Sequence, residues 1–140
     1  MRIEKIIFLK LRFVMALIFL WAFFDKTFGW GFNTLKENAW INGGSPTSGF
    51  LSNATRGPLA EFFSSLSGVV LVDWVFMIGL LGVGLTLFFN RLVVWGSLFG
   101  ALMMLLMYLA AFPPTTNPLL DSHVVYILVF ALLASKNRDR

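Results

Sequence analysis

Apolar residues in this chain come in long runs, neither alternating as in a strand nor confined to one helical stripe. Phe13 to Phe24, Val69 to Phe89 and Leu92 to Phe112 contain a single Asp, Glu, Lys, Arg or His between them, Asp73, and a further run ends at Ser135. Such runs predict helices over about 5–26, 69–89, 92–112 and 118–135, each near the roughly 20 residues that cross a hydrocarbon core of about 30 Å. The breaks are equally clear. Asn90-Arg91 makes a minimal turn, Pro113-Pro114 stops the third run, and Thr115 to His123 is a short polar link. Asn117-Pro118 reads as the start of the last helix, because Asn caps open backbone N–H groups and Pro is tolerated at the first helical position. Helices joined this way alternate in direction. The expected architecture is one domain over residues 1–140: an all-α membrane protein, a four-transmembrane-helix up-down bundle with a long structured outer loop over about 27–68.

That loop is announced by the stretch from Trp21 to Phe50, which is polar and aromatic together. It holds Trp21, Trp30 and Trp40 among Gly, Asn and Ser residues. Tryptophan favours the level where apolar tails meet headgroups, so the stretch predicts a structured cap on one membrane face. Asn42-Gly43-Gly44-Ser45-Pro46 is a turn cluster. Pro58 opens a short helix whose apolar face, through Leu59, Phe62, Phe63 and Leu66, is expected on the membrane surface or on the bundle.

Composition agrees with the pattern. At 58% hydrophobic and 13% charged residues, with a mean hydropathy of +0.80, the chain is too apolar for a soluble domain. The absence of Cys excludes disulfides, thiolate catalysis, iron–sulfur clusters and Cys-based zinc sites. The net charge of +4 gives no nucleic-acid signal, since the cations gather at the chain ends and in one turn. Arg2, Lys5, Lys10, Arg12, Arg91, Lys136, Arg138 and Arg140 fall on one side of the bundle, and only Lys26, Lys36 and Arg56 on the other. Positive charge is retained on the cytoplasmic side, so an integral, multi-pass protein with both termini cytoplasmic is expected. The positive, apolar start imitates a signal peptide, but no small-x-small cleavage site follows and the first helix is expected to be retained. Asn53-Ala54-Thr55 is an acceptor sequon on the expected outer face.

Glycines mark helix packing: Gly79, Gly82 and Gly84 in the second helix, and Gly96-x-x-x-Gly100 in the third. Met103, Met104 and Met107 read as adaptable packing residues. Depth singles out other residues. With Arg12 at the inner boundary, about 20 residues reach to Phe32, which submerges Asp25 and Lys26. The same length counted back from Lys136 submerges Asp121 and His123, and Asp73 lies near the outer boundary. Tyr126 shares the face of His123. Ionisable groups there pair, serve a site, or meet headgroups by snorkelling. The candidate ligand cluster is Asp25, Lys26, Asp73, Asp121, His123 and Tyr126, with Lys26 expected to pair with Asp25, Asp73 or Asp121. One His and no Cys leave no metal site to expect.

Trp21-Ala-Phe-Phe-Asp25-Lys26 and Ala39-Trp-Ile-Asn-Gly-Gly-Ser-Pro-Thr-Ser-Gly-Phe50, followed by Gly57-Pro-Leu-Ala-Glu-Phe-Phe63, Asp73-Trp74 and Asn117-Pro-Leu-Leu-Asp-Ser-His123, resemble the DoxX family of small four-helix membrane proteins. The resemblance covers nearly the whole chain and implies the same four-helix fold. It also implies a link to membrane oxidoreductases, since the family includes the membrane subunit of a thiosulfate:quinone oxidoreductase. No catalytic motif is carried across. Two functions stay open. One is a quinone-interacting subunit of a membrane oxidoreductase complex, with quinone bound at the Asp, Lys, His and Tyr cluster and electrons supplied by a partner. The other is a non-catalytic structural or assembly subunit of a larger membrane complex or a homo-oligomer.

Overall fold

The computed structural model describes residues 2–138. Its helices are α1 (Ile3–Phe28), α2 (Ser48–Asn53), α3 (Ala60–Ser64), α4 (Val70–Phe88), α5 (Val93–Ala110) and α6 (Ser122–Arg138). Single 3-10 turns lie at Lys36–Asn38, Trp40–Asn42 and Gly57–Leu59. α1 stops at Gly29, which takes φ 67° and returns its N–H to the Asp25 carbonyl. Only glycine adopts that left-handed conformation cheaply, and a Cβ there would lie 2.6 Å from Lys36 Cα.

The long helices pack antiparallel in chain order. On α1 and α4, Phe13 meets Phe88 edge to face at 5.7 Å and Leu20 lies over Gly84. On α4 and α5, Gly96 packs on Thr86 and Gly79 on Met103. The Phe130 ring of α6 covers Gly100 of α5 and also meets Phe19 of α1 at 5.4 Å, which closes the bundle. Met15, Phe19, Met77, Leu80, Leu87 and Phe130 are at the centre of its core. Each small residue lets a bulky partner approach, and in lipid that close contact is the main source of helix association.

By length and composition, α1, α4 and α5 are long and apolar enough to cross a membrane. An all-α, multi-pass membrane protein follows. α6 is apolar but shorter, with 17 residues, about 25 Å at ~1.5 Å per residue. It begins at Ser122, later than the Asn117-Pro118 signal suggested. Asn117 does cap, but its side chain accepts only from Leu119 and Leu120 in an isolated turn. The helix itself is capped by Asp121, whose Oδ1 accepts the His123 N–H at 3.0 Å.

Arg12 has an unexpected place. Its side chain is buried, 5% exposed, and donates to the Leu87 carbonyl. That carbonyl is among the last of α4, which have no partner inside their own helix. Arg12 therefore seals a helix end and does not snorkel to the headgroups.

Between α1 and α4 the chain forms a packed cap. Leu51, Phe63 and Ala110 make a second small core, joined by Phe50, Leu66 and Val72. The Arg56 N–H donates to the Ala110 carbonyl at 3.0 Å, covering the end of α5. Gly57, at φ 76°, lies so close to the Phe112 carbonyl that any Cβ would overlap it. The apolar face expected around Pro58 is split: Phe63 and Leu66 turn to the bundle, while Leu59 and Phe62 stay exposed.

Candidate functional site at the cap end

Asp25, in the last turn of α1, is 2% exposed. Its carboxylate accepts three backbone N–H groups from the chain that follows: Phe32 at 3.2 Å, Asn33 at 2.8 Å and Thr34 at 3.1 Å. A buried carboxylate is tolerated only when its oxygens are satisfied in this way. The side chain folds the descending loop back over the end of its own helix. Above it, Trp21 and Trp30 meet at 5.2 Å, and Trp30 stacks on Phe24 and Phe28.

Asp73, near the start of α4 and 6% exposed, works in the same manner on a different segment. Ser45 Oγ donates at 2.8 Å, Thr47 Oγ1 at 2.6 Å and the Thr47 N–H at 3.2 Å. The intervening Pro46 carbonyl accepts from Lys26 Nζ at 3.2 Å, and the same ammonium lies 5.8 Å from the centre of the Phe76 ring. Ser45-Pro46-Thr47 is thus a polar staple, tied to α1 through Lys26 and to α4 through Asp73. Beside it, Trp40 of the cap meets Trp74 of α4 at 4.8 Å.

The expected ion pair of Lys26 with a carboxylate does not form among the described residues. Loop N–H and hydroxyl donors occupy Asp25 and Asp73, and a loop carbonyl takes Lys26. Asp121 is taken by His123, with Nδ1 to Oδ2 at 2.8 Å. Tyr126 packs against the central core. No hydrogen bond or ion pair among the described residues links Asp121, His123 and Tyr126 to Asp25, Lys26 and Asp73. No group of three or more His, Asp or Glu residues among them could hold a metal ion.

Of the packing glycines, Gly79, Gly96 and Gly100 are covered by the chain's own side chains. Gly82 is not: nothing approaches a Cβ built on it within 4 Å. It lies in an outward-facing groove of 380 Å³ between α4 and α5, with Gly79 and Gly96 and with walls from Trp95 and Phe99. Thr86 carries the one hydroxyl in its lining, and that hydroxyl is turned to the Val83 carbonyl at 2.9 Å.

Ser45, Thr47 and Arg12 escaped the reading by depth, because hydroxyls give no hydropathy signal and a terminal Arg reads as a headgroup cation. The Ser-Pro-Thr triplet beside a glycine pair was the available clue. Comparisons with protein-family models, with curated proteins and with solved structures return no match to this chain.

Proposed function

We propose that this chain is a non-catalytic structural subunit of a membrane assembly, either a homo-oligomer or part of a larger complex. Its four long helices cross the membrane, with both termini cytoplasmic and the 27–68 cap outside. The observation that carries the reading is the open groove at Gly82, a glycine-floored apolar cleft on the lipid-facing side of α4 and α5. Small residues facing outward admit the close approach of a neighbouring helix. The reading is supported further by Asp25, Lys26 and Asp73, whose polar atoms are spent on holding the cap. Gly82→Ile, which fills the cleft, is expected to dissociate the assembly in mild detergent while leaving the helical circular dichroism spectrum unchanged. An unaltered native mass spectrum for that variant rejects the groove as the contact.

A second reading rests on the DoxX-like motifs and on the Asp121–His123 pair. The His123 ring can hydrogen-bond a quinone oxygen through Nε2, while Asp121 Oδ2 holds its Nδ1 at 2.8 Å and fixes the ring's orientation. Quinone that co-purifies with the wild type and is lost in His123→Phe supports this role. Quinone content that is nil in both leaves the assembly reading alone.

A further inference from the structure

α1 is longer than a bilayer requires. Its 26 residues extend about 39 Å at ~1.5 Å per residue, against a hydrocarbon core of about 30 Å. The surplus lies at the amino-terminal end, because Lys136, near the end of α6, stands 5.8 Å over the Phe8 ring and Phe8 therefore lies level with the end of the bundle. On the outward side of this half-helix, Ile6, Leu9, Lys10, Phe13, Val14 and Leu17 line an open groove of 340 Å³. Their three- and four-residue spacing places them on one helix face. One wall is held in place from behind: Phe13 packs on Phe88, and the Arg12 guanidinium lies 4.9 Å from the Phe13 ring centre.

Lys10 is the one charged group in that lining. It is exposed and makes no ion pair among the described residues. Arg2, which precedes α1, and Lys5 in its first turn are also exposed, with Glu4 as the only acid of α1 before Asp25. We infer that this face of α1 binds an anionic phospholipid, with an acyl chain along Phe13, Val14 and Leu17 and the phosphate headgroup at Lys10. Charge complementarity at Lys10 is joined to an apolar track along Phe13, Val14 and Leu17. A lysine on a long stem reaches from the helix toward the headgroup level while its methylenes stay on the apolar surface. A zwitterionic lipid brings its own cation and gains little from Lys10. A second copy of the chain would set Arg2, Lys5 and Lys10 against their own counterparts. The site is independent of the α4–α5 groove and of the assembly reading.

The test is native mass spectrometry of the full chain in mild detergent, with phosphatidylglycerol or phosphatidylcholine added. The wild type is expected to retain phosphatidylglycerol preferentially. Lys10→Gln is expected to weaken that retention roughly fivefold, the order of effect of one lysine at an anionic surface, and Lys10→Arg to restore it. Lys36→Gln, which removes an exposed cation of the cap, is expected to change nothing. Val14→Trp fills the groove without altering charge and is expected to weaken retention as well. Equal retention of the two lipids by the wild type overturns the proposal, as does Lys10→Gln binding like the wild type. Loss of phosphatidylglycerol to excess soluble glycerol phosphate overturns the acyl-chain part and leaves a phosphate site. Circular dichroism of each variant separates lost binding from lost fold.

Discussion

Asp25 and Asp73 show how an acidic side chain is kept under cover at the end of a membrane-length helix. Each is nearly inaccessible and each faces three donors of the cap: backbone N–H groups for Asp25, and the hydroxyls of Ser45 and Thr47 with one N–H for Asp73. Hydrogen bonds to charged groups contribute about 1.5–3 kcal/mol each, and donors left buried without an acceptor add a penalty. Asp73→Ala is therefore expected to cost at least about 3 kcal/mol. Lys26 donates to one carbonyl and lies over Phe76, contacts that a Met side chain partly replaces, so Lys26→Met is expected to cost about 1.5 kcal/mol or less. Thermal or denaturant unfolding in detergent ranks the two. A loss for Lys26→Met as large as that for Asp73→Ala would point instead to a buried Lys–Asp pair. The position of these residues at the ends of apolar runs was legible from hydropathy alone, where such groups pair, serve a site or meet headgroups. Their partners were not, since Ser45 and Thr47 lie far from Asp73 in sequence and the turn cluster that holds them does not say which acid they face.

At the scale of the element, the cap holds to the bundle by backbone as well as by side chains. Arg56 covers the Ala110 carbonyl, and Gly57 fits against Phe112 only because it has no Cβ. A left-handed residue with a side chain costs roughly 1–2 kcal/mol before any clash is counted. Gly57→Ala is expected to loosen the 48–66 segment from α5, so that limited proteolysis cuts there first while the long helices survive. Cleavage no faster than in the wild type would show that the Leu51–Phe63 core holds the cap by itself. The ends of the elements were less legible than their existence. Asn117-Pro118 carries every local mark of a helix start, yet Asn117 spends its side chain on an isolated turn and Asp121 caps α6. The hydroxyl of Tyr108 on α5 binds the Leu119 carbonyl, a tertiary contact that occupies the link where the helix was expected to begin.

For the whole molecule, the antiparallel packing brings the start of α1 and the last turns of α6 to one end of the bundle, where Lys136 meets Phe8. The proposed orientation has a direct check, since the native chain has no Cys. Asn53→Cys and Lys136→Cys are both at exposed positions. In intact cells an impermeant thiol reagent is expected to label the first and spare the second. Labelling of both would mean that α6 does not cross, which its 17 residues make a real alternative to bilayer thinning around a short helix.

The residue order by itself determined the class of the molecule: apolar runs of spanning length, punctuated by Asn-Arg and Pro-Pro, admit little but membrane helices, because lipid requires each run to satisfy its own backbone. It also determined where polar chemistry would gather, at the ends of those runs. Only the tertiary structure decided what that chemistry does. Whether Lys26 meets a carboxylate or the Pro46 carbonyl depends on how the cap folds over α1 and α4. Whether a glycine faces Phe130 or open space depends on how each helix is rotated about its axis. Gly82 and Gly100 are alike in sequence, both in glycine-spaced apolar helices, and a helix of apolar residues on every side carries too weak a periodicity to tell its inner face from its outer one.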